Sequence, residues 1–336
     1  MRIYKGGVEM DNLQQIENES KKNIEQRDIA IIGLACRFPK AKDKDEFWNN
    51  LMNGVDCVSE VPKNRWNSEE FYSQDIKEQN KTYCKWLGAL ENIDLFDNQF
   101  FNISPREASN MDPNQRILLQ EAWHCVEDSA IPLSELQRAT TSVHVGSVAY
   151  DVYHPAKADV STASGTYYFM LANRISYCFG LTGESQTMDT GCSSSFVALN
   201  SACRSLLDHS SDYAMVGGVN LHMSPYKYTT WSKSRMFSMS GKCHTFDKDA
   251  DGYVPGEGVG VLLLAPFEKA IQNKNKIYAV IKGCAINHGG QALSLTAPNV
   301  KAQKSVIESA YRQTTFDPST VSYVEAHGTG TSLGDP

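Results

Sequence analysis

The chain has 336 residues, 41% of them hydrophobic and 21% charged, with a formal net charge of −7. That makeup fits a globular protein with one large core or two modest ones. An acidic balance with scattered lysines and arginines leaves no nucleic-acid footprint, and no apolar run is long enough to span a membrane. Nine cysteines without C-x-x-C spacing, and no signal-peptide pattern, lead to the expectation of free thiols in a reducing cytoplasm.

In chain order, residues 1–27 are polar and rich in lysine and glutamate, and read as a flexible lead-in. Lys5 to Glu9 can be encoded by a purine-rich ribosome-binding site, so Met10 is the expected natural start. Asp28 to Gly33 is a buried strand. Phe47, Trp48 and Leu51 then form the apolar face of a helix stopped by Gly54. Ser104-Pro105-Arg106-Glu107 has capping-box order, and Asp112-Pro113-Asn114-Gln115 opens a second helix running to about Glu127. Thr141 to Ala149 is a strand, Gly165 to Phe179 a helix ended by Gly180, and Tyr213 to Leu221 a strand. Val259 to Leu264 and Ile277 to Ala285 are further strands, Val300 to Arg312 a helix, and Val321 to Ala326 a last strand. Strands alternating with helices predict α/β layers around a largely buried sheet.

The chemistry concentrates at Gly183 to Leu207. Ser185 to Thr190 reads as a short extended run, and Phe196, Leu199, Cys203 and Leu206 recur on one helical face. Cys192 falls at the turn between them, where the helix macrodipole and unsatisfied amides favour a thiolate and could hold an oxyanion. The nucleophile elbow of hydrolases uses the same kind of turn for serine. A cysteine is more often structural, but the small polar neighbours Thr190, Gly191, Ser193, Ser194 and Ser195 argue for exposure here.

Other patterns carry less. Asp247, Asp249, Asp251 and Gly252 imitate half of a calcium loop, yet its twelfth position is Gly258 where a glutamate is needed. The loop reads instead as a tight one, with Gly252, Gly256, Gly258 and Gly260 allowing close packing and Glu257 making internal polar contacts. Neither Cys243-His244 nor another pair has zinc spacing, and no metal is predicted. His327-Gly328-Thr329-Gly330-Thr331 follows a predicted strand; without a following helix it does not make a dinucleotide site, but a histidine there suits proton handling or oxyanion support. His124, His209 and His244 receive no chemistry.

Six stretches together resemble the ketosynthase (β-ketoacyl synthase) domain of bacterial modular polyketide synthases, of thiolase-like fold. They are DIAIIGLACRFP at 28–39, FFNISPREASNMDPNQRILLQEAW at 100–123, LANRISYCFGLTGES at 171–185, DTGCSSS at 189–195, DGYVPGEGVGVLLL at 251–264 and VEAHGTGTSLGDP at 324–336. The resemblance covers the chain from about Asp28 onward. It implies a layered α/β fold of two similar halves, with 28–270 as the N-terminal half and 271–336 as the beginning of the C-terminal half.

It also implies an acyltransferase. Cys192 accepts an acyl group from the phosphopantetheine arm of an acyl carrier protein, then yields it to a carbanion formed by decarboxylating a malonyl-type extender. By motif position the amide of Cys192 is one oxyanion donor and His327 is the first of two family histidines that support decarboxylation. Thr329 and Thr331 match positions along the pantetheine tunnel. Gly191 stands where the family usually has alanine, which implies a roomier pocket and altered acyl preference; Glu257 is structural near the site. No cofactor is implied in this chain. The implied partners are the carrier protein, a second copy across the strand before Cys192, and the remaining modules or a C-terminal ketosynthase half. Because Gly334-Asp335-Pro336 falls inside a motif, the second histidine and the glycine-rich oxyanion loop are absent. The expectations are therefore little condensation by this chain alone, and apolar surface that the second half would cover. The alternatives are a half-domain acting only by docking with a separate second half, and a ketosynthase that transfers acyl groups without condensing.

Overall fold

The structure is a computed structural model and describes residues 27–149, 160–292 and 297–335. Apart from Arg27, the predicted lead-in, with Met10 in it, lies outside the described residues.

Six strands form one mixed sheet. They are β1 (Ile29–Arg37), β4 (Thr141–Gly146), β5 (Ser185–Met188), β6 (Tyr213–Asn220), β7 (Gly258–Pro266) and β8 (Ala279–Ile281), in the order β5-β4-β6-β7-β1-β8. β4 runs parallel to β5 and β6, whereas β7 is antiparallel to both β6 and β1. A separate ribbon pairs β2 (Ser59–Glu60) with β3 (Trp86–Leu87).

Alternation along the strands gives each face of the sheet its own core. Val143, Val145, Tyr213 and Met215 join Ile117, Leu118, Leu119 and Ile175 of the Pro113–Ser129 and Met170–Phe179 helices. Ala214, Val216 and Leu264 point the other way, against Ala198, Ala202 and Leu206 of the Ser194–Leu207 helix. A third cluster of Trp66, Tyr83, Leu87, Tyr228 and Phe237 backs the ribbon.

The helix starts follow the capping signals. Ser104 Oγ accepts from Glu107 N, Asp112 accepts from Asn114 N, and Gly180 closes its helix at φ 67°. Four elements depart from expectation. Gly165 to Phe179 is two helices, Thr162–Thr166 and Met170–Phe179, because buried side chains take carbonyls in the last turn of the first. Gln115 Nε2 donates to Gly165 O at 2.8 Å and Arg174 Nη2 to Ser164 O at 3.1 Å. The Lys44–Met52 helix buries none of its residues: the Phe47 ring packs at a tilt against Phe38, while Trp48 and Leu51 are exposed. The strand predicted over 277–285 shrinks to β8. Val321 to Ala326 forms no strand and stays exposed, since among the described residues no sheet edge pairs with it.

Candidate active site

The register brings the ends of several elements together. Gly146 pairs with Met188 and Gly218, and Asn220 with Gly258. The C-terminal ends of β4, β5 and β6 therefore share one end of the sheet with the loops entering β7, where crevices form in open α/β sheets.

Cys192 sits at that end, just after β5. Its turn is held by its hydroxyl neighbours: Ser194 Oγ donates to Gly191 O at 2.6 Å and accepts from Thr190 N at 2.9 Å, while Ser193 Oγ donates to Thr190 O at 3.1 Å. Asp189 ties the turn to the end of β4, with Oδ1 accepting Gly191 N and Oδ2 accepting Ala149 N. Gly191 is left-handed at φ 67°, with no atom of the described residues within 4 Å of where a Cβ would stand. A methyl at 191 therefore meets backbone strain before it meets a neighbour.

Gly146 lets the helix seat closely, because a Cβ on it would lie 2.4 Å from Ser194 C and Ser195 N. Ala198, Ala202 and Ser205 form the buried face, while Phe196 of the predicted apolar face is exposed. Two first-turn amides are used locally, Ser194 N on Gly191 O and Val197 N on Ser193 O.

Exposure separates the thiols. Cys192 and Cys243 are exposed, whereas burial pushes Cys36 up to about 11 and Cys84 and Cys203 up to about 12. Cys243 Sγ accepts Val254 N at 3.2 Å.

His327 is exposed, in a turn packed on the 243–252 loop. Thr245 Oγ1 donates to Gly328 O at 2.9 Å, and Gly252 N to Gly330 O at 2.8 Å. Thr329 Oγ1 and Thr331 Oγ1 lie 2.9 Å apart. The His327 turn is thus tied to the connection between β6 and β7, and no hydrogen bond joins His327 to Cys192. The aspartates of the calcium-like loop serve backbone amides: Asp247 Oδ1 accepts Asp249 N and Asp251 Oδ2 accepts Met239 N.

Glu257 is fully buried and paired with Arg65, and it also accepts Leu90 N and His222 N. Sequence reading missed Arg65, because nothing local marks a partner so distant. It also missed Arg174, whose Nε donates to Gln115 Oε1 at 2.9 Å and Nη1 to Glu107 Oε1 at 2.7 Å. Among the described residues His144 on β4 is buried without a partner for either ring nitrogen, and burial takes it down to about 4.

A mixed sheet between helical layers, with an exposed thiol just before the Ser194–Leu207 helix, fits the thiolase-like fold. Comparison with known proteins agrees. The family described as "Beta-ketoacyl synthase, N-terminal domain" matches residues 26–270, and "Beta-ketoacyl synthase, C-terminal domain" matches 278–336. Polyketide synthase PksL of Bacillus subtilis is 43% identical over 96% of this chain and 7% of its own length. ThaG of Burkholderia thailandensis, also a polyketide synthase, is 44% identical over 92% of this chain and 6% of its own. The oxazolomycin ketosynthase domain OzmH KS7 of Streptomyces albus superposes with a TM-score of 0.87 at 40% identity, covering 92% of this chain and 54% of that one. For the ketosynthase from module 6 of the Bacillus subtilis bacillaene synthase the TM-score is 0.82 at 35% identity, covering 92% and 52%. The chain belongs to the beta-ketoacyl synthase family. It spans about half the length of those solved ketosynthases and a small part of the curated synthases.

Proposed function

We propose that this chain carries the acyl-accepting half-reaction of a polyketide ketosynthase. The Cys192 sulfur attacks the carbonyl of an acyl thioester on a phosphopantetheine arm. A new C–S bond forms, the C–S bond to the arm breaks, and the arm leaves as a thiol that takes up the proton. Exposure of Cys192 at the start of a buried helix is the observation that carries this reading. In the whole ketosynthase, a carbanion from a decarboxylated malonyl-type extender then attacks the acyl carbonyl, with the Cys192 amide as an oxyanion donor and His327 supporting the enolate. Thr329 and Thr331 receive the pantetheine, and Gly191 bears on acyl preference.

The family matches at 26–270 and 278–336 support 28–270 as one half and 271–336 as the opening of the other. An acyl carrier protein supplies the substrate, the β5 edge meets a second copy, and the setting is cytoplasmic; the multi-module relatives support the carrier protein and further modules as partners. Among the described residues no helix is long and apolar enough to cross a membrane.

Intact-mass analysis after incubation with an acyl-pantetheine thioester tests the reading. One acyl adduct on Cys192, absent in Cys192→Ser, is expected. Acylation elsewhere, or none even with a C-terminal half supplied, overturns it.

A further inference from the structure

One carboxylate closes the turn that carries His327, Thr329 and Thr331. Asp335 Oδ2 accepts Phe246 N at 2.9 Å and Gly330 N at 3.1 Å, and Oδ1 faces Thr329 Oγ1 at 3.4 Å. Thr329 Oγ1 is in turn 2.9 Å from Thr331 Oγ1, which accepts Gly334 N at 3.2 Å. Phe246 is left-handed at φ 58°, a conformation that bulky residues avoid, so its amide contact with Asp335 helps to hold the loop in place.

The direction of each proton follows from donor and acceptor counts. An ionised carboxylate only accepts, and a hydroxyl has one proton and two lone pairs. The backbone amide of Phe246, ahead of the Gly330 amide and Thr329, holds the Asp335 carboxyl below its ordinary range. Thr329 therefore donates to Asp335 and accepts from Thr331, whose single proton is then used. Each threonine keeps one free lone pair, and neither has a free proton.

We propose that Asp335 is a positioning residue that fixes the Thr329–Thr331 pair as hydrogen-bond acceptors for the amide N–H groups of a pantetheine arm. This rests on the reading of the turn as the pantetheine-binding segment. Asp335→Asn separates it from a purely structural latch. The asparagine Oδ1 can still accept the Phe246 and Gly330 amides, but its NH₂ now donates to Thr329. One of the two threonine hydroxyls, Thr331 if the chain reverses or Thr329 if it accepts from both neighbours, then points a proton outward, toward a ligand donor.

The test is a saturation-transfer NMR titration of the 336-residue chain and its variants with S-ethyl-pantetheine, an unreactive probe, alongside thermal unfolding. The expected result is a dissociation constant about tenfold higher in Asp335→Asn, the loss of a well-made hydrogen bond to the ligand. Its melting temperature stays near wild type, whereas Asp335→Ala loses both affinity and melting temperature. An affinity for Asp335→Asn within twofold of wild type, a melting loss equal to that of Asp335→Ala, or no binding of the probe by the wild-type chain overturns the proposal. Failure of Cys192 to be acylated while the probe still binds counts against the proposed function and leaves this inference standing.

Discussion

Arg65 and Glu257, 192 positions apart in sequence, form a two-pronged ion pair with side chains 1% and 0% exposed. Arg65 Nε and Nη2 each donate to one Glu257 oxygen at 2.8 Å, and Nη2 also donates to Leu90 O. The carboxylate accepts Leu90 N and His222 N as well, so the pair joins the 62–66 segment, the chain after β3, the end of β6 and the start of β7.

Removing either charge leaves the other buried and unpaired. Arg65→Met and Glu257→Gln are each expected to lower stability by about 3–5 kcal/mol in urea unfolding, and a double apolar replacement by clearly less than the sum. A loss under about 1 kcal/mol for both single variants would show that water reaches the pair.

The seat of the Cys192 helix is tested at Gly146. A Cβ there overlaps Ser194 and Ser195 backbone at 2.4 Å, so Gly146→Ala is expected to cost about 1–3 kcal/mol. It should also slow acylation of Cys192 by acyl-pantetheine. Unchanged stability and an unchanged acylation rate would mean that the helix moves freely on the sheet.

Gly191 is the milder case. Its left-handed backbone should make Gly191→Ala less stable by about 1–2 kcal/mol, with no contribution from crowding. Thermal unfolding measures this, and a stabilised variant would contradict the backbone account.

Exposure predicts which thiols react. Limiting iodoacetamide at pH 7.5 should label Cys192 and Cys243, while Cys36, Cys84, Cys125 and Cys203, buried and held protonated, stay unlabelled until the chain unfolds. Peptide mapping checks this, and early labelling of Cys125 would refute it.

His144 makes stability fall in acid. Burial lowers it from an ordinary 6.5 to about 4, so the unfolded chain binds its proton first. Its penalty is absent above about pH 6.5 and grows as pH falls toward 4, by up to about 1.4 kcal/mol per pH unit. His222, buried and depressed further by the nearby Lys227 charge, acts in the same direction. Melting temperatures at pH 7.5 and 5 should therefore converge partly in His144→Phe. An equal acid loss in that variant and wild type would remove His144 as a cause.

Strands β1, β4, β6 and β7, the two proline-started helices and the cysteine turn were legible in the sequence, because hydrophobic alternation, caps and small polar runs are local signals. Pairing was not local. Val321 to Ala326 has an apolar strand pattern but finds no neighbouring strand among the described residues, and Trp48 and Leu51 have helical spacing but no surface to cover them. The Gly165 to Phe179 pattern breaks because Gln115, from the Pro113–Ser129 helix, claims the Gly165 carbonyl and Arg174 folds back onto that of Ser164.

The same division holds at the candidate site. By itself the sequence determined where an exposed thiol would stand, since Cys192 depends on its own turn: Thr190, Gly191, Ser193 and Ser194 fold it outward by contacts spanning a few residues. Only the tertiary structure decided that the His327 turn packs on the 243–252 loop, that Glu257 belongs to Arg65, and that Asp335 closes the threonine pair onto Phe246. Those relations depend on strand register and on hydrogen bonds between segments distant in sequence, and no spacing along the chain encodes them.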